Sequence, residues 1–168
     1  MRGFRAQGPG PRVLFVLLLT AGLARAQEIS LDGARPVGKQ HIVLLSDALQ
    51  VEAGKPQTVE LRFRVDPGFH INSHTPHDET LIPTVLKLDA ASDVQVQDAQ
   101  YPAGTAFHLS IGAGETLDVY QGEFRVTVRV VAHKGESLLV GGLRYQACDN
   151  AACFPPKTLP VRIAVEAR

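Results

Sequence analysis

The feature that most constrains the fold is a strict two-residue alternation of apolar and polar side chains. The clearest case lies in residues 59–65, where charged side chains alternate with apolar ones: Val59, Leu61, Phe63 and Val65. The same period recurs in residues 124–130 and 159–165. Alternation of this kind is typical of a β-strand with one buried and one solvated face. The chain is therefore expected to build its core from sheets.

Shorter segments carry weaker strand patterns: residues 41–45, 69–72, 84–88, 94–97 and 137–145. Turn signals rich in glycine and proline separate them, and no segment offers a capped run at the helical period. About eight short strands without intervening helices predict an all-β, two-layer antiparallel β-sandwich, with a small barrel as the alternative.

The first 26 residues have the organisation of a secretory signal peptide. Three arginines precede an apolar run over residues 13–19, and small side chains surround a cleavage site after Ala26. A single membrane anchor is the alternative, but the apolar run is too short for one. We therefore predict export to the periplasm or beyond, with no stable membrane insertion after cleavage.

The remainder of the chain is predicted to hold one domain. Residues 27–39 are polar and aperiodic, so they form a flexible lead-in, and residues 40–168 form the domain. Cleavage removes four arginines and no acidic residue, which leaves 13 basic and 17 acidic side chains. This balance argues against a nucleic-acid partner, and no basic cluster is left to hold an anionic membrane surface.

Two cysteines, Cys148 and Cys153, lie between strand-like segments. Export favours their pairing, because an oxidising compartment lets thiols form disulfides. The residues between them include Asp149 and Asn150, which favour a turn. We therefore expect a hairpin tip whose ends face each other, with the two Cα atoms about 5.5 Å apart.

A disulfide that closes so short a loop contributes little stability. The chain-entropy model gives about 2 kcal/mol, against about 4 kcal/mol for a bridge that spans some sixty residues. The small side chains of Ala151 and Ala152 leave the sulfurs approachable. The pair is interpreted as a disulfide that exchanges with other thiols, with a purely structural bridge as the alternative.

The two thiols are not equivalent. Asp149 adjoins Cys148, and its charge disfavours a thiolate there, so Cys153 is expected to be the exchanging thiol. The spacing is not Cys-x-x-Cys and no helix follows, which excludes a thioredoxin-type site.

Around this hairpin the sequence resembles the N-terminal periplasmic domain of the thiol:disulfide interchange protein DsbD. Five blocks carry the resemblance: residues 145–148, 153–156, 68–73, 81–84 and the pair Tyr101-Pro102. They follow the order found in the family and span nearly the whole mature chain.

The resemblance implies an immunoglobulin-like antiparallel β-sandwich with protein-disulfide reductase activity. Cys148 and Cys153 would accept electrons from a thioredoxin-like protein or domain and pass them to other periplasmic thiol proteins, and Cys153 would form the mixed disulfides. Because the sequence ends at Arg168, the thioredoxin-like donor and a membrane electron transporter are expected to act in trans.

Family members also shield the pair with a cap loop that carries an aromatic residue. The corresponding stretch is residues 107–120, where residues 108–114 contain no aromatic side chain. Possible cap or partner contacts are Ile111, Tyr120, Tyr145 and Phe154. The two tyrosines are equally consistent with packing in the core with the hydroxyl at its rim.

Two other functions stay open. One is a non-catalytic exported binding module in which the disulfide is structural. The other is a metal chaperone that uses His70, His74 and His77 with the thiols, but their spacing does not place the imidazoles on one face of a strand. His70 and Asn72 are instead expected to hydrogen-bond within the sandwich. Neither a metal nor another cofactor is expected.

Overall fold

The computed structural model describes residues 39–89, 93–108 and 116–168, which contain twelve strands and no helix. The predicted signal peptide, nearly all of the predicted lead-in and Ile111 lie outside these residues. The strands are β1 Ile42–Leu44, β2 Ala48–Val51, β3 Gln57–Val65, β4 His70–Asn72, β5 Val85–Leu88, β6 Val94–Gln100, β7 Thr105–His108, β8 Thr116–Tyr120, β9 Glu123–Ala132, β10 Gly135–Tyr145, β11 Ala147–Cys148 and β12 Lys157–Ala167.

The strands form three four-stranded sheets, in the orders β1-β3-β9-β6, β2-β12-β10-β5 and β11-β4-β8-β7. The pairs are antiparallel except for β2 with β12, which is parallel. The predicted fold class, an all-β immunoglobulin-like antiparallel β-sandwich, is confirmed, with that one parallel edge as a departure. In the described part of the chain, no helix has the length and apolar character that a membrane crossing requires.

The core contains the alternating residues that the sequence singled out. In β3, Leu61 and Phe63 are fully buried, and they pair with Val126 and Phe124 of β9. The rings of Phe63 and Phe124 stack with centroids 5.4 Å apart. Each side chain of this size contributes about 1.5–3 kcal/mol by leaving water, so this repeat accounts for much of the driving force for folding.

Strands β10 and β12 form one long antiparallel ribbon that carries the cysteine segment. Their pairing runs without interruption from Gly135 opposite Ala167 to Tyr145 opposite Lys157. Residues 146–156 extend beyond the last pair as the tip of this ribbon. The tip folds back on β4, because β11 pairs with that strand.

Four strands were not expected from the sequence: β2, β7, β8 and β11. The correction matters most for residues 107–120, which the resemblance assigned to a loop. Residues 105–108 and 116–120 are instead antiparallel partners, with Phe107 opposite Leu117. Only residues 109–115 lie between these strands, and they are outside the described part.

Candidate functional site

The predicted disulfide is present at the tip of the ribbon. Cys148 and Cys153 are joined with their Cα atoms 3.9 Å apart, closer than the typical separation that the sequence analysis assumed. Besides the disulfide, the two residues form an isolated antiparallel β-bridge. The hairpin geometry thus brings both ends of the loop together at the positions that the sequence indicated.

Hydrogen bonds within the loop hold this tip in place. The Asp149 carboxylate accepts bonds from the backbone amides of Ala151 and Ala152, at 2.7 and 2.8 Å. Where the loop closes, the Phe154 amide donates to the Ala147 carbonyl at 2.8 Å. The bonds from Ala151 and Ala152 lower the pKa of Asp149 below its usual value, so this carboxylate stays charged beside Cys148. The turn-forming role expected of Asp149 is confirmed.

The two cysteine residues differ sharply in their access to solvent. Cys148 is only 1% exposed, whereas Cys153 belongs to the exposed residues. An incoming thiolate must approach one sulfur along the S–S axis, from the side opposite the other. Of the two residues, Cys153 is the one that lies at the surface of the domain.

His70 lies next to Cys148 on the neighbouring strand. The two residues are directly opposite in the antiparallel pair of β4 with β11. Opposite residues of such a pair point to the same side, with Cβ atoms about 4.5–5.5 Å apart. His70 is 1% exposed, and burial lowers its pKa while the Asp149 charge raises it.

The ring of Phe107 covers His70, with the two ring centroids 4.2 Å apart. Phe107 is the second-last residue of β7, and the described part of the chain stops after the next residue, His108. Residues 108–114 contain no aromatic side chain, and the ring in this position belongs to Phe107, directly before them. An aromatic side chain does lie over the strand beside the cysteine pair.

A second aromatic cluster adjoins Cys153 on the chain. The ring of His41 stacks on Phe69 at 3.9 Å, and Phe154 lies 5.3 Å from His41 and 5.9 Å from Phe69. Burial is the main cause of a lowered pKa at His41, and the positive charge of Lys157 lowers that pKa further. Phe154 is half-buried and directly follows the exposed residue Cys153 in the chain.

The predicted contacts Tyr120 and Tyr145 are packed inside the domain, at 4% and 0% exposure. The Tyr145 hydroxyl accepts a hydrogen bond from the backbone amide of His41 at 3.3 Å. The Tyr120 hydroxyl donates to the Pro102 carbonyl at 2.9 Å. Neither ring offers a partner surface in this conformation, so the core-packing interpretation describes both.

The three histidines considered as metal ligands have separate surroundings. His74 stacks on Tyr101 and bonds the Thr84 carbonyl through Nδ1 at 2.9 Å, whereas His77 is exposed. Within residues 39–89, 93–108 and 116–168, no three His, Cys, Asp or Glu side chains are grouped so that they could hold a metal ion.

Asn72 and His70 are both expected to hydrogen-bond within the sandwich, and the structure confirms this for Asn72. Asn72 donates to the Ile82 carbonyl at 3.0 Å, as expected for a residue that bonds within the sandwich. His70 differs, because its Nε2 is buried and has no hydrogen-bond partner among the described residues.

Comparison with known proteins gives one family match. The model of the family described as "Thiol:disulfide interchange protein DsbD, N-terminal" matches residues 39–164. The reduced N-terminal domain of DsbD from Neisseria meningitidis is 24% identical, with a TM-score of 0.43 over 67% of this chain and 80% of that one. The N-terminal periplasmic domain of ScsB from Proteus mirabilis is 15% identical, with a TM-score of 0.49 over 73% and 44%. No curated protein matches the sequence.

Proposed function

The chain belongs to the family of N-terminal domains of the thiol:disulfide interchange protein DsbD, and we propose on this basis that it relays electrons through Cys148 and Cys153. The observation that carries the proposal is the unequal exposure of a local disulfide. Cys153 is an exposed residue at the tip of a hairpin, and its partner Cys148 is buried. A bridge with only a structural role has no need of an exposed sulfur.

The proposed reaction begins when the thiolate of a thioredoxin-like protein attacks Cys153 Sγ. A bond forms between the partner sulfur and Cys153, the bond between Cys148 and Cys153 breaks, and Cys148 leaves with the electron pair. The partner's second thiolate then attacks its own sulfur in the mixed disulfide and releases Cys153. The partner becomes a disulfide, and this domain gains two electrons and, in water, two protons.

The reduced domain passes its electrons on by the reverse sequence. The Cys153 thiolate attacks the disulfide of another exported protein and forms a mixed disulfide with one of its sulfurs. Cys148 then attacks Cys153, which reforms the internal bridge and releases the acceptor protein as a dithiol. Phe154 is the proposed contact for both partners, because it is only half-buried and directly follows the exposed Cys153.

The proposal includes export, with residues 1–26 as a signal peptide that is cleaved after Ala26. Oxidising surroundings are needed to form the bridge at all, which supports this assignment. Mass spectrometry of the protein recovered from the periplasm of an expressing bacterium should show Gln27 as the first residue. Recovery of the uncleaved chain from the membrane fraction would contradict it.

Capture of a mixed disulfide tests the relay directly. The Cys148→Ser variant keeps the exposed thiol, and it should displace thionitrobenzoate from a thioredoxin whose single remaining cysteine carries that group. The matched Cys153→Ser variant keeps only the buried thiol and should react at least about tenfold more slowly. Equal rates for the two variants, or no covalent product from either, would contradict the proposed roles.

The reduction potential separates the relay from the alternative of a binding module with a structural disulfide. Equilibration with glutathione should place the bridge above about −300 mV, the region below which structural disulfides resist the glutathione pool. A value below that region, together with partner binding that survives Cys153→Ser, would favour the binding module.

A further inference from the structure

Three side chains lie in one row across the strands of the third sheet. His70 is opposite Cys148 in the β4–β11 pair, and Cys148 is opposite Cys153 in the isolated bridge. Because paired residues point to the same side, the row places His70 on one flank of Cys148 and Cys153 on the other. The leaving sulfur therefore has a histidine as its cross-strand neighbour.

The imidazole in this row has an unused polar atom. His70 is 1% exposed, yet its Nε2 has no hydrogen-bond partner within the described residues while the disulfide is intact. A buried polar atom without a partner is costly, so such an atom calls for an explanation. Phe107 lies against the same ring and helps to keep water away from it.

The leaving sulfur becomes a thiolate in unfavourable surroundings. Cys148 becomes a thiolate at a site that is 1% exposed, and burial disfavours the charged form of a thiol. The carboxylate of Asp149 is next in the chain and adds repulsion. A hydrogen-bond donor close to Cys148 Sγ would offset both effects.

We propose that the His70 imidazole donates a hydrogen bond from Nε2 to the Cys148 thiolate whenever the bridge is open. The atom without a partner in the oxidised protein would then gain one on reduction. The same bond would hold Cys148 as the nucleophile that reforms the bridge. This inference rests on the proposed function, because it assigns a role within the exchange reaction.

The proposal requires no charged imidazole. Burial lowers the pKa of His70 in the oxidised protein, and the N–H of a neutral ring is sufficient as a donor. The charged group found to act on His70 in the described part is Asp149, which raises its pKa, and Cys148 is the titratable residue opposite it. Phe107 brings no charge to the ring.

Titration of Cys148 tests the hydrogen bond without any partner protein. In the Cys153→Ser background, the ultraviolet absorbance of the thiolate reports the pKa of Cys148. Adding His70→Phe should raise that pKa by about 1–2 units, a tenfold to hundredfold loss of thiolate, because a bond to a charged group is lost. His70→Gln keeps an N–H donor and should restore most of the loss. His74→Phe is the matched control and should leave the pKa unchanged, since His74 bonds the Thr84 carbonyl.

The redox equilibrium gives a second readout in the otherwise intact chain. His70→Phe should lower the equilibrium constant for reduction by glutathione about tenfold, which corresponds to about 30 mV, because the reduced form loses its hydrogen bond. Circular dichroism establishes that each variant is folded, and His70→Gln serves if the Phe variant is not. An unchanged Cys148 pKa in a folded His70→Phe variant, or a Gln variant that matches Phe, would overturn the proposal.

The two proposals fail in different ways. If the mixed disulfide with thioredoxin does not form but His70→Phe still raises the Cys148 pKa, the relay is refuted and the hydrogen bond stands. If the mixed disulfide forms but the pKa does not move, the relay stands and the role of His70 is refuted.

Discussion

Reduction of the bridge between Cys148 and Cys153 should lower the free energy of unfolding by about 2 kcal/mol and leave the domain folded. The bridge joins positions only five apart, and the chain-entropy model assigns about 2 kcal/mol to so short a loop. The hydrogen bonds that the loop amides donate to the Asp149 carboxylate involve no sulfur, so the hairpin should persist. Folding and reduction are linked in one thermodynamic cycle. A stabilisation of about 2 kcal/mol therefore lowers the reduction potential of the disulfide in the folded chain by only about 45 mV.

Urea unfolding followed by far-ultraviolet circular dichroism measures this difference with and without a phosphine reductant. With a slope of about 2 kcal/mol/M, the midpoint should fall by about 1 M. The double variant Cys148→Ser, Cys153→Ser is the control and should not respond to the reductant. A loss above about 4 kcal/mol would refute the reasoning, because it is the size expected for a long-range structural bridge. An unchanged midpoint would refute the loop-entropy calculation itself.

Three further predictions concern the scaffold. Tyr145→Phe should cost about 1–3 kcal/mol, seen as a lower urea midpoint, because the backbone amide of His41 loses the hydroxyl that it bonds at 3.3 Å; an unchanged midpoint would contradict this. Burial lowers the pKa of His41 and His70 below 6.5, so protonation favours the unfolded chain. Their contribution to stability should be complete above about pH 6.5 and decline as the pH falls below it, and equal urea midpoints at about pH 7.5 and about pH 5.5 would argue against it. Gly141→Ala should lower the melting temperature by several degrees, because the new Cβ would lie 2.2 Å from the backbone carbonyl oxygen of Lys87, and a wild-type melting temperature would show that β5 can move away.

The strands that the sequence predicted most clearly, β3, β9 and β12, are those whose burial follows a period of two. In β3 and β9 the pattern is legible because each strand has one face in the core and one in solvent. Strand β8 has the same alternation at Leu117 and Val119, but it is short. It also lies in the stretch for which the family resemblance implies a cap loop. Strand β11 has two residues, so no periodicity can reveal it, and it exists because of its pairing with β4.

The candidate site was also predictable only in part. The disulfide and the turn at Asp149 were predictable, because every group that forms them lies within a few positions of the cysteines. His70 and Phe107 were not, since their places depend on the register between β4 and β11 and on the path of β7. The sequence showed only a histidine in a short predicted strand. That pattern does not reveal which residue the histidine faces on the neighbouring strand.

The long ribbon of β10 and β12 has a consequence for engineering. Its last pair is Tyr145 opposite Lys157, and beyond that pair the tip has two sets of bonds: those among residues 146–154 and the pairing of β11 with β4. The first set would travel with the cysteine loop if it were grafted onto another antiparallel ribbon that ends in the same register. Such a graft would carry the two sulfurs and their turn but leave His70 behind on β4, and its rate of exchange would measure what the rest of the domain adds to a bare dithiol hairpin.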